Sequence, residues 1–133
     1  MFGDEPIIGN WEKEIDSKIR VVLPEDTRRE YKEELVLAYD EVTSKYVIYK
    51  LTDALKNFES YDQKIQNASS IKELEELRKE KLQYAITIKK HLTVDIAGRV
   101  TMSGYFKKFE KISLVGNIDT LYIIKNEENC KVR

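Results

Sequence analysis

The chain has 133 residues, of which 41% are hydrophobic and 35% charged, and its formal net charge is −1. That length supports one compact domain with a modest core, or two tightly packed halves, and excludes two independent domains. The near-zero charge excludes coating of nucleic acid by bulk charge, which rests on neutralising phosphates, and no apolar run reaches the roughly 20 residues of a membrane-spanning helix.

The opening "MFGDEPIIGN" is acidic where a signal peptide is basic, so the chain is expected to be cytoplasmic and to have no membrane partner. A single cysteine, Cys130, rules out an internal disulfide and, with no histidine close in sequence, reads as a bystander thiol. Acidic residues gather in "EDTRREYKEE", "KELEELRKE" and "NEENC", which leaves room for a local basic patch elsewhere.

The first element is "EIDSKIRVVLP", residues 14–24: a strand, a turn from Asp16 to Arg20, and a second strand closed by Pro24. Ile15, Val21 and Leu23 are expected inward, while Lys18 and Arg20, two positions apart, project together to make a small basic point with Lys13 near it. "EDTRREYKEE" reads as a short polar helix or turn capped by Asp26 or Thr27. "LVLAY", the turn-prone "DEVTSK" and "YVIYKL" follow, rich in β-branched and aromatic residues, and read as a β-hairpin.

Two helical patterns come next. From about Thr52 to Gln66, Ala54, Phe58, Tyr61 and Ile65 share one face. Ser70 and Glu73 then spell a capping box, and Leu74, Leu77, Tyr84, Ala85 and Ile88 carry the second stripe. The short link "NASS" folds the pair into an antiparallel helical hairpin whose stripes pack against each other and the sheet.

"TVDIAGRVTMS", residues 93–103, then repeats the first phrase. Alternation sends Leu92, Val94, Val100 and Met102 to one face and Thr93, Asp95, Arg99 and Thr101 to the other. In the turn, Asp95 accepts a nearby backbone N–H and Gly98 supplies positive φ. The arginine at the exit carries a planar fork of donors suited to phosphate or to a guanine edge. The same spacing also suits plain Asp16–Arg20 and Asp95–Arg99 ion pairs bracing two turns, and spacing does not choose between these readings. After this second phrase the order recurs: a short helix in "YFKKFEK", the run "ISLV", the turn "GNIDT" and "LYIIK".

The doubled phrase resembles that of the MraZ family, in the AbrB and SpoVT superfamily of swapped-hairpin β-barrels. "IDSKIRVVLP" is similar to the family's Leu-Asp-x-Lys-Gly-Arg-x-x-x-Pro, "VDIAGRV" to its second Asp-x-x-Gly-Arg, and "MFG", the two helices and "ISLVGNIDTLYIIKNEE" extend the likeness along nearly the whole chain. The resemblance implies an α+β fold: a double swapped-hairpin β-barrel made of repeat 1 (about 8–51), a helical hairpin (about 52–88) and repeat 2 (about 90–126), in a single domain of residues 1–133. It implies a transcription regulator of a division and cell-wall gene cluster, nucleoid-associated, binding short direct-repeat boxes of double-stranded DNA as a ring-shaped homo-oligomer.

Carried over by position, Arg20 and Arg99 take the motif-arginine places, Lys18 the basic place of the first turn, and Asp16, Asp95 and Gly98 the turn-forming places; Lys13, Arg28 and Arg29 are candidate phosphate contacts. Ile19 stands where the family pattern has glycine, "VTMSG" has no proline after the strand, and the final strand has no tryptophan. Positive φ is costly for a β-branched residue. Either the first turn has changed shape, or the family's glycine there is not in a glycine-only conformation.

Other classes find little in the residues. One histidine and one cysteine make no zinc cluster, and there is no nucleophile elbow or glycine-rich phosphate loop. No catalysis, metal, cofactor or small-molecule substrate is expected. The alternative is a divergent family member without DNA binding that serves as an assembly module. His91 reads as a surface residue at a helix-to-strand junction, and Trp11 as packing at an exposed barrel edge.

Overall fold

A computed structural model describes residues 6–25 and 33–126. It is α+β, with two helices and eight strands: β1 Asn10–Glu14, β2 Arg20–Val22, β3 Glu34–Asp40, β4 Lys45–Lys50, α1 Leu51–Gln66, α2 Ile71–Thr87, β5 Ile88–Thr93, β6 Arg99–Thr101, β7 Lys111–Asn117 and β8 Thr120–Lys125. Arg28, Arg29 and Cys130, and the helix or turn expected around Asp26 and Thr27, lie outside the described residues.

Six strands form one antiparallel sheet in the order β1-β7-β8-β4-β3-β5, and β2 pairs with β6 in a separate antiparallel ribbon. The sheet is open: among the described residues β1 and β5 stay at its two ends, so the expected closed barrel is not formed. The reason is local. β2 and β6 have only three residues each, and they pair with one another rather than bridging the edges.

Alternation places the core as expected. Ile15, Val21, Leu23, Leu92, Val94, Val100 and Met102 are all buried and join Leu35, Leu37, Ile48, Ile112, Leu114, Leu121 and Ile123 in one cluster between sheet and ribbon. Truncating a fully buried leucine in such a cluster costs about 2–5 kcal/mol. On the other face of β3 and β4, Val36, Ala38 and Val47 are buried with Ala54 of α1 outside that cluster. This second layer is made of small side chains, with the helical hairpin packed over it.

The first helix carries its expected stripe; the second departs from its own at Ala85, which is exposed, at Ile88, which opens β5, and at the cap. Ser70 Oγ accepts from Glu73 N–H at 3.1 Å, but the Glu73 carboxylate takes the N–H (3.1 Å) and hydroxyl (2.8 Å) of Ser69 rather than the backbone of Ser70. α2 has no buried residue, and Ala54 is the buried residue of α1; the stripes meet through rings, Phe58 and Tyr84 lying 5.1 Å apart edge to face. No helix among the described residues is long and apolar enough to cross a membrane.

The short helix expected in "YFKKFEK" is absent; that segment is a series of turns. Gly104 (φ +94) and Phe109 (φ +62) interrupt the right-handed backbone a helix would need. His91 lies within β5 rather than at a junction, exposed, with its Nε2 against the Glu34 carboxylate. Trp11 does sit on an edge strand, but it packs against the core and covers Gly9, where a Cβ would stand 2.5 Å from the indole ring.

Candidate nucleic-acid interface

Each repeat builds its turn from one aspartate. Asp16 Oδ1 accepts the N–H groups of Lys18 (2.9 Å) and Arg20 (2.8 Å), and Asp95 Oδ1 those of Ala97 (3.0 Å) and Arg99 (2.8 Å). The other oxygen, Oδ2, takes the arginine Nε–H at 2.9 Å in both turns. Backbone bonds complete each loop: Ile19 N–H to Asp16 C=O at 3.0 Å and Gly98 N–H to Asp95 C=O at 2.9 Å. The aspartate thus braces the turn and orients its arginine at once, which is the ion pair that the spacing suited.

The turns have the same shape. Gly98 has φ +79 and Ile19 φ +58, so of the two alternatives at Ile19 a changed turn shape is not the one found. A β-branched residue occupies the left-handed region there, and its half-buried side chain packs on the core cluster. Its carbonyl accepts from Met102 N–H at 2.7 Å, and Gly98 C=O accepts from Leu23 N–H at 2.9 Å, so each turn clamps the strand of the other repeat.

The ribbon register decides which side chains meet. Val21 opposes Val100 on the buried face; Arg20 opposes Thr101 and Val22 opposes Arg99 on the outward face. The two arginines therefore stand at diagonal positions of one face, roughly 7–8 Å apart. Arg20 and Arg99 are 23% and 31% exposed, with their aspartates at 35% and 36%. Partial burial opposes ionisation of each carboxyl, but the backbone N–H groups and the guanidinium outweigh it, so both sit below the usual carboxylate value.

Lys18 lies exposed in the first turn, where the second has Ala97. Lys13 is not part of the ribbon: it is half-buried on edge strand β1, opposite Ile112. Val22, 39% exposed between the arginines, and Thr101 complete the outward face. Val22 escaped the sequence reading, although alternation with the inward Val21 and Leu23 turns it outward beside Arg20; its place opposite Arg99 follows from the pairing of strands far apart in the chain. A scan against protein-family models finds no match, and no curated protein matches the chain.

Proposed function

We propose that this chain is a homo-oligomeric, sequence-specific DNA-binding regulator of the MraZ type, its two repeats interleaved in the double swapped-hairpin manner. It binds short direct-repeat promoter boxes of a division and cell-wall gene cluster as a ring, and is nucleoid-associated. The observation that carries this reading is the outward face of the β2–β6 ribbon, with Arg20 and Arg99 on the same side. A two-stranded ribbon fits the major groove, and a guanidinium meets guanine O6 and N7 with paired donors. A carboxylate on Nε fixes the plane of each guanidinium before DNA arrives, which lowers the ordering cost of binding. Lys18 adds a phosphate contact in the first turn only, so the first repeat leads; Lys13, Arg28 and Arg29 are secondary phosphate contacts.

A subunit with few basic contacts gains from assembly, because linked sites on repeated boxes raise the effective concentration of each other. The test begins with selection of bound sequences from random DNA, which should enrich spaced direct repeats. On that DNA, Arg20→Ala should weaken retention in a gel shift by about tenfold or more, with assembly unchanged by size-exclusion chromatography. Unchanged retention removes Arg20 from the interface.

One observation favours a second reading, an assembly module without DNA binding. Both ribbon arginines are neutralised by their own aspartates, which leaves Lys18 as the net charge of the two turns. Absence of any enriched sequence, and of binding at low salt, would select this reading.

A further inference from the structure

On the side of the sheet away from the main core, the small layer of Val36, Ala38, Val47 and Ala54 leaves space that the helical hairpin does not fill. Protein interiors are close-packed, yet an open cleft of about 870 Å³ remains between α1, α2 and the ends of the β3–β4 and β7–β8 hairpins. Ala38, where the pairing of β3 with β5 shifts register, and Val47 line its apolar part.

Five tyrosines border it: Tyr39, Tyr49, Tyr61, Tyr84 and Tyr122. Several are held in place. Tyr49 and Tyr84 hydroxyls bond at 2.9 Å, Asn57 Nδ2 donates to Tyr84 Oη at 2.9 Å, and Tyr122 donates to Asp40 Oδ2 at 2.8 Å. Tying the hydroxyls fixes the ring planes, so the aromatic faces are set before any ligand enters. One of these rings already has an ammonium over it, Lys64 Nζ at 5.8 Å from the Tyr61 centroid.

The charge around the cleft is one-sided. Asp40, Glu41, Asp53, Glu76, Glu80 and Asp119 line it against Lys56 and Lys79. These carboxylates come from both walls, the helices and the hairpin ends, and among the described residues no three acidic side chains converge as metal ligands do. Dispersed carboxylates and fixed π-faces suit a ligand with several separated positive centres on an apolar backbone, each ammonium finding a ring or a carboxylate.

We propose that this cleft binds a small aliphatic polyamine. It shares no residue with the arginine turns, so the proposal stands or falls apart from the DNA reading. The ammonium groups lie along the two acidic walls and over the tyrosine faces, and the methylene segments run between them against the ring edges.

Isothermal titration of the full chain with spermidine at physiological salt tests this, with magnesium chloride at matched ionic strength as the competitor. The expected result is saturable one-site binding that magnesium displaces weakly. Asp53→Asn combined with Glu80→Gln, both on helix surfaces, should weaken it roughly tenfold. Tyr84→Leu should weaken it by a similar factor, with circular dichroism reporting whether the hairpin is intact; Tyr84→Phe, which keeps the ring, should retain most of the affinity if ring faces carry it. Heat that does not saturate, displacement by magnesium as effective as by spermidine, or affinity unchanged in the Asp53/Glu80 variant would overturn the proposal. So would tight binding of an arginine-rich peptide without binding of spermidine, which would make the cleft a peptide groove.

Discussion

Ile19 and Gly98 occupy equivalent places with φ +58 and +79, yet only one of them is suited to it. The left-handed conformation costs a β-branched residue about 1–3 kcal/mol. Against this, half-burial of the isoleucine contributes about 1 kcal/mol, and its smaller backbone entropy loss than glycine about 0.5–1 kcal/mol. The terms are close, so Ile19→Gly should change the unfolding midpoint by no more than about 5 °C in a thermal melt. Gly98→Ala, which puts a Cβ on the same left-handed backbone, should cost about 1–2 kcal/mol in urea unfolding. A second prediction concerns acid. Asp16 and Asp95 have carboxyl values depressed below the ordinary 3.8, so their contribution is present above that value and lost as pH falls through the lower folded-state values. Stability measured from pH 7 to 2 should therefore decline below about pH 4, and Asp16→Asn with Asp95→Asn should be less stable at neutral pH and show a shallower acid decline. An unchanged slope would mean that other carboxylates dominate the acid limb.

At the level of elements, the sheet and the helical hairpin differ in how they are held. β3, β4, β7 and β8 each place apolar residues in the main cluster, whereas α2 buries none and α1 buries Ala54. The hairpin should open locally at lower free energy than the sheet, and hydrogen exchange should show amides in 55–85 losing protection before those in 35–49 and 112–124. Ser70→Ala, which removes the acceptor for Glu73 N–H, should cost about 1 kcal/mol and deepen that difference in α2 alone. Exchange at equal rates in both regions would contradict the reading of a weakly anchored hairpin.

The same scale shows what the sequence made legible. Strand pairs announced themselves by alternation and by turn residues, and the helices by their stripes and the Ser70 cap, because these signals are local. The short helix read into "YFKKFEK" failed where Phe109, a residue with no compositional claim to positive φ, adopts it. The sharing of one ribbon face by Arg20, Val22 and Arg99 needed the pairing of β2 with β6, and the cleft needed the packing of α1 and α2 over Val36, Ala38 and Val47. Both depend on contacts between residues distant in the chain, which no short window contains.

For the molecule as a whole, net charge and proposed function can be set against each other by salt. Three basic side chains, Lys18, Arg20 and Arg99, belong to the two turns, and Lys13, Arg28 and Arg29 bring the proposed contacts of one subunit to six. If one subunit alone met DNA through all of them, log K would fall against log salt with a slope no steeper than about −5. Engagement by several subunits of a ring should give a clearly steeper slope, and fluorescence anisotropy across a salt series measures it. A slope of about −5 or shallower on direct-repeat DNA would mean that assembly does not multiply the contacts.

The reciprocal clamps between the turns bear on how the chain reaches this state. Ile19 and Met102, joined by one short backbone bond, are about 80 residues apart in sequence, as are Leu23 and Gly98. Closing such a loop costs entropy before any contact rewards it, and distant pairings form slowly. The helical hairpin, built from neighbours in sequence, shortens that search by bringing the end of the first half to the beginning of the second. Because the ribbon and its clamps join residues of both halves, neither half can present the arginine face alone.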